Sequence, residues 1–256
     1  MWRSLLLVIL GLFMLGASAS DYEREKRWAD EVVPSLVAGD PVYIKAATGK
    51  EFLALFAEAS NSKGAAVLVH GMGMHPDHSN IGVLRTKLTE MGYTTLSIQM
   101  PVAAAAARSE AYYPMLFPDA LNRIALAGEY LQKKGHKNIA LISHSLGSWM
   151  SNVYFDQTAE TPYSVWVCMG LTGGFTTRVM GINLPMLSVK IPILDVYGEN
   201  DMPPVLGAAA RRARSIADVP GSRQVKIAGA DHFYAGKGNE LAQAVDEYLK
   251  ERWVKP

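Results

Sequence analysis

The sequence predicts an α/β fold, a mostly parallel sheet with helices on both faces. Three observations carry that expectation. Two strand-like segments bracket the turn Thr48-Gly49-Lys50, as in a hairpin. Beyond Gly64, strand-like and helix-like segments alternate to the end of the chain. The first of these, Ala65-Ala66-Val67-Leu68-Val69, is an unbroken apolar run, the pattern of a strand covered on both faces.

Each element follows from its residues. Residues 21–38 carry Glu and Arg with Trp28, Val32, Val33 and Leu36 at near-helical spacing, which predicts an amphipathic helix. Residues 41–47 and 52–58 are the hairpin strands, and 65–69 the first buried strand. A helix over 81–91 and a strand over 93–99 follow, the strand stopping at Pro101. Residues 118–134 read as a helix with Pro118 at its start. Then come a strand over 138–142, a helix over 146–157, strands over 164–169 and 191–197, a helix over 206–216, a short strand over 224–227 and a last helix over 240–253.

The chain has 256 residues, 49% hydrophobic and 19% charged, enough for a large buried core. No internal repeat, low-complexity tract or linker divides it, so residues 20–256 are expected to form one domain. Residues 1–19 have a different layout. Arg3 supplies a positive charge, Leu5 to Leu15 is apolar apart from Gly11, and Ala17-Ser18-Ala19 presents small residues before Asp21-Tyr22-Glu23-Arg24. This predicts a cleaved secretory signal peptide and a periplasmic or secreted protein. The apolar stretch falls short of the roughly 20 residues a membrane span needs, so no stable anchor is expected. Removing residues 1–19 takes out one arginine and no acid, lowering the formal charge from +1 to about zero. With no basic tract, nothing suggests nucleic acid as a partner. The single cysteine, Cys168, lies in a strand-like run; it excludes an intrachain disulfide and reads as a buried thiol.

In parallel sheets of this kind, chemistry gathers beyond the carboxyl ends of the strands. The strand ending at Ile142 runs into Ser143-His144-Ser145-Leu146-Gly147 and then a helix. A serine at the apex of a strand–turn–helix projects its hydroxyl from the sheet, and the crowded turn needs small residues two positions to either side. Gly147 meets that need; Ser143 stands where glycine is usual. Ser145 is therefore the candidate nucleophile, and Ser148, inside the helix, is a poorer one. A serine hydroxyl needs a base. The loop after the last short strand, Ala228-Gly229-Ala230-Asp231-His232-Phe233, offers His232, the only histidine in the last hundred residues. The base needs an acid on its far nitrogen. Asp201 lies past the strand that ends near Tyr197, Glu199 is the reserve, and Asp195, inside the strand, reads as structural.

Val69 leads into His70-Gly71-Met72-Gly73-Met74-His75-Pro76-Asp77-His78. A glycine-rich turn lets backbone N–H groups face a developing oxyanion. The expected donors are the N–H groups of Met72 and Leu146, with Gly71 and Gly73 shaping the turn and His70 bracing it. His70, His75, Asp77 and His78 also invite a metal reading. Their spacing matches no helix-borne ligand pair, and no metal is expected.

These pieces, taken in order, resemble the α/β-hydrolase superfamily over nearly all of residues 40–256: His70-Gly71-Met72-Gly73, Ser143-His144-Ser145-Leu146-Gly147, Gly198-Glu199-Asn200-Asp201 and Asp231-His232. The stretch from His70 to Asp77 is similar to one in a poorly characterised group of exported proteobacterial proteins. The resemblance implies about eight strands and a lid after the sixth, for which only residues 171–190 are available. Residues 102–117 form another candidate wall, with Tyr112, Tyr113, Met115, Leu116 and Phe117 either lining a site or packing the core. It further implies hydrolysis of a small ester, or of an amide or thioester, through an acyl-enzyme on Ser145, with no organic cofactor. A non-catalytic binding or assembly protein on the same fold is the competing expectation.

Overall fold

The computed structural model describes residues 20–107, 110–173, 186 and 188–253. The expected signal peptide over 1–19 lies outside the described residues, as does most of the expected lid over 171–190. Among the described residues, eight strands form one sheet in the order β1-β2-β4-β3-β5-β6-β7-β8. They are β1 (Asp40–Lys45), β2 (Glu51–Ala57), β3 (Ala65–Val69), β4 (Thr94–Ile98), β5 (Ile139–His144), β6 (Val165–Met169), β7 (Ile193–Gly198) and β8 (Arg223–Ile227). β1 and β2 form the antiparallel hairpin, β2 meets β4 antiparallel, and every pairing from β4 through β8 is parallel. Among the described residues the α-helices are α1 (Tyr22–Val32), α2 (Ser79–Glu90), α3 (Phe117–Lys133), α4 (Leu146–Gln157), α5 (Pro203–Ile216) and α6 (Gly238–Trp253).

Alternation along the strands sends neighbouring side chains to opposite faces. Val67, Val69, Leu141, Trp166 and Cys168 join a core with Ile124 and Leu131 of α3 and Trp149 and Val153 of α4. Ala66, Leu68, Ala140, Ile142, Val167 and Met169 join the opposite core with Leu84 of α2 and Val245 and Leu249 of α6. Both faces are covered, which is why β3 is apolar at all five positions. Ala29 and Val32 of α1 pack on Leu53 and Leu55 of β2. Cys168 is fully buried in β6, and burial pushes its thiol well above the usual range. Leu116 and Phe117 of the expected wall are core residues, whereas Met115 is exposed. Among the described residues no helix is long and apolar enough to cross a membrane.

Prolines account for three shifted boundaries. The first helix stops at Val32, and Val33–Ser35 forms a 3₁₀ turn around Pro34 instead of continuing to residue 38. β7 starts at Ile193 because Pro192 has no N–H for the ladder; its carbonyl accepts from Trp166 N–H at 3.0 Å. α5 opens on Pro203-Pro204, three residues before the expected start, since proline suits the first turn.

Three buried arginines tie the layers together. Arg123 of α3 holds Glu25 of α1 at 2.8 Å and Asp119 at 2.8 Å. Arg85 of α2 holds Asp77 at 2.7 Å and donates to the Ala38 carbonyl at 2.7 Å. Arg212 of α5 pairs with Asp195 of β7, and both side chains are fully excluded from solvent.

Candidate active site

Ser145 sits between β5 and α4 with φ 55° and ψ −118°, a strained conformation for a residue with a side chain. Two features hold it there. Its N–H donates to the Met169 carbonyl of β6 at 2.9 Å, and Gly147 leaves room where any Cβ would run into the His70 carbonyl oxygen. Ser143, the departure from glycine, is accommodated because its hydroxyl accepts from Trp166 Nε1–H at 2.8 Å within the core. Ser148 is spent structurally: its hydroxyl donates to the Ser143 carbonyl at 2.8 Å, with the Met169 carbonyl at 3.0 Å.

β8 and β7 bring two further side chains to the same sheet edge. His232 Nε2 lies 3.0 Å from Ser145 Oγ, and its Nδ1 lies 2.7 Å from Asp201 Oδ1. A carboxylate only accepts, so Nδ1 carries the proton and Nε2 is left to accept from the serine hydroxyl. Burial pushes the Asp201 carboxyl up, but the hydrogen bond and charge of His232 and the N–H groups of Met202 and Gly198 outweigh it and hold the group below the ordinary carboxylate range. The reserve acid is elsewhere: exposed Glu199 pairs with Lys226 at 3.2 Å and accepts from Gly229 N–H at 2.9 Å, bracing the β7–β8 side of the loop. Asp195 is committed to Arg212. The Ser145–His232–Asp201 relay is the arrangement by which an imidazole, oriented by a carboxylate, takes a proton from a hydroxyl.

The turn after β3 passes directly beside Ser145. A Cβ built on Gly71 would lie 3.2 Å from Ser145 Cβ, a tight contact that glycine avoids. Gly73 has φ +64°, the left-handed region that favours glycine. His70 braces the turn from below: Nδ1–H donates to the Gly71 carbonyl at 2.8 Å, and Nε2 accepts from Met100 N–H at 2.9 Å. Burial drives its ring down to about 3, so it is a neutral brace. Met72 follows Gly71 in this turn, and Leu146 opens α4, where a first-turn N–H has no acceptor within the helix. The remaining members of the histidine cluster serve the loop. Asp77 accepts from Arg85, His75 Nδ1 accepts from Asp77 N–H at 3.3 Å, and the His75 and His78 rings pack 5.2 Å apart. Among the described residues no three His, Cys, Asp or Glu side chains are placed to hold a metal ion.

A family model described as a protein of unknown function, DUF3530, matches residues 20–115, less than half of the chain. No curated protein matches the sequence. Solved structures do match in shape. Est1E from Butyrivibrio proteoclasticus superposes with a TM-score of 0.65 at 16% identity, covering 84% of this chain and 99% of its own. A dienelactone hydrolase from Anabaena variabilis gives 0.64 at 17% identity, covering 83% and 99%. XC6422 from Xanthomonas campestris, an a/b serine hydrolase without lid, gives 0.63 at 14% identity, covering 86% and 98%. The fold is that of the α/β hydrolases.

Within the α/β-hydrolase fold, two contributors to this site escape a reading of the sequence. Gly170, the first residue past β6, has φ +60°, and a Cβ there would sit 2.9 Å from His232 Cε1. Its position at a strand's carboxyl end was the available signal. His144, to which the sequence reading gives no role, is fully buried against the His232 ring, their centroids 4.7 Å apart.

Proposed function

We propose that this protein is an exported serine hydrolase that cleaves a carboxylic ester, or the related amide or thioester, through an acyl-enzyme on Ser145. The observation that carries the reading is the unbroken relay from Ser145 Oγ to His232 at 3.0 Å and from His232 to Asp201 at 2.7 Å. His232 Nε2 takes the proton as Ser145 Oγ attacks the carbonyl carbon. The oxyanion accepts hydrogen bonds from the Leu146 and Met72 N–H groups. The carbonyl reforms as His232 returns the proton to the leaving group; water, activated by the same imidazole, then frees the acid and Ser145. Asp201 stays ionised throughout and stabilises the imidazolium. Neighbours on this fold include esterases and a dienelactone hydrolase, which supports the reaction class. Residues 20–256 form the single catalytic domain in this reading. Residues 1–19 act as its cleaved leader, giving a periplasmic or secreted protein.

A fluorophosphonate probe tests the reading directly, since it phosphonylates only an activated serine. The wild-type protein is expected to take up label, and Ser145→Ala to take up none. A folded wild type that stays unlabelled overturns the proposal and favours a non-catalytic binding role on the same fold.

A further inference from the structure

His144 ends β5 immediately before the nucleophile, and its side chain is fully buried. Its Nε2 lies 2.8 Å from the His232 carbonyl oxygen. A carbonyl only accepts, so the proton is on Nε2. The ring leans on the His232 imidazole at a 43° tilt, with Phe233 and Tyr234 at 5.9 and 6.4 Å on other sides. On its far side, Nδ1 is buried without a hydrogen-bond partner, and a Cβ on Gly71 would come within 3.3 Å of it. One imidazole thus touches both the loop that carries the base and the turn beside the nucleophile.

A buried, unpartnered ring nitrogen lowers stability, and an apolar side chain of similar size would fill this space without that cost. The polar ring is therefore explained by the one bond it makes. We propose that His144 is a positioning residue whose Nε2–H fixes the backbone of His232, and so the height of the His232 ring over Ser145. The assignment rests on the hydrolase reading given above. Burial first, and the neighbouring His232 second, bring the His144 ring down to about 3, so it adds no charge to oppose the imidazolium formed on His232. The ionisable groups facing it are His232, Asp201 and Tyr234.

The test compares His144→Phe, which keeps volume and loses the donor, with His144→Gln, whose amide nitrogen restores a donor near the Nε2 position. Hydrolysis of p-nitrophenyl butyrate and the rate of fluorophosphonate labelling are measured on the full chain. Misplacing the base by a fraction of an ångström is expected to lower kcat of His144→Phe by about 10²-fold with KM unchanged, and to shift the acid limb of its pH profile. His144→Gln is expected to recover most of the loss. Wild-type kcat in His144→Phe, or a His144→Gln variant as slow as His144→Phe, overturns the assignment. Should His144→Phe fail to fold, ¹⁵N spectra of the wild-type imidazoles decide the matter. A ring protonated on Nε2 that does not titrate between about pH 5 and 9 supports the assignment, and a titrating or Nδ1-protonated ring at this position overturns it. Labelling of wild-type Ser145 separates the two readings. A labelled wild type with an unaffected His144→Phe removes only the positioning role, whereas an unlabelled wild type removes the hydrolase reading and this role with it.

Discussion

Replacing His232 with alanine is expected to lower turnover of p-nitrophenyl butyrate by about 10⁶-fold, because members of such a relay act as a unit. Without Nε2 at 3.0 Å, the Ser145 hydroxyl keeps its proton and remains a weak nucleophile. No neighbouring ring replaces it. His144 is the closest imidazole by centroid, but burial leaves it near 3, too weak a base at neutral pH. The residual rate comes from the oxyanion donors and from binding alone. The melting temperature is expected to move by only a few degrees. Asp201 retains its bonds from Met202 N–H at 2.7 Å and Gly198 N–H at 3.3 Å. Steady-state assays and thermal melts on the same preparation check both halves. Near-normal turnover removes His232 from the mechanism.

The largest stability effect is expected outside that relay, at Arg212. Its Nε–H reaches both oxygens of Asp195, at 3.0 and 2.9 Å, and one Nη donates to the Leu171 and Val205 carbonyls at 2.7 and 2.9 Å. Gln224 completes the cluster with a 2.6 Å bond to Asp195. Arg212→Met leaves a carboxylate with no counter-charge inside the sheet layer and takes a donor from the Leu171 and Val205 carbonyls. A loss of about 3–5 kcal/mol is expected, read as a lower urea midpoint at unchanged slope. The double variant Arg212→Met, Asp195→Asn is expected to regain a substantial part of it, since the stranded charge is then gone. A single variant as stable as wild type would show that the pair contributes nothing net.

These two sites mark how far the sequence could be read. The sheet was legible because burial on both faces leaves unbroken runs such as Ala65 to Val69, and because the hairpin and the alternation after it leave few topologies. The three site residues were legible from position: a serine at a strand–turn–helix apex, the one late histidine, and, of two acids just beyond a strand end, Asp201 ahead of Glu199. Partners of buried charges were not. Glu25 reads as part of the solvent face of an amphipathic helix, yet it meets Arg123 almost a hundred residues away, in the core. Asp195 could be judged structural from its place in a strand, but nothing local points to Arg212. His144 was hidden because its value lies in the direction of one nitrogen, which spacing does not encode.

Cys168 gives the molecule a clock for its own unfolding. The thiol is sealed in the interior strand β6 and held protonated by its surroundings. A maleimide can therefore react only during moments when the sheet comes apart. The rate at which label accumulates counts those openings, and the wild-type chain reports them without an engineered handle.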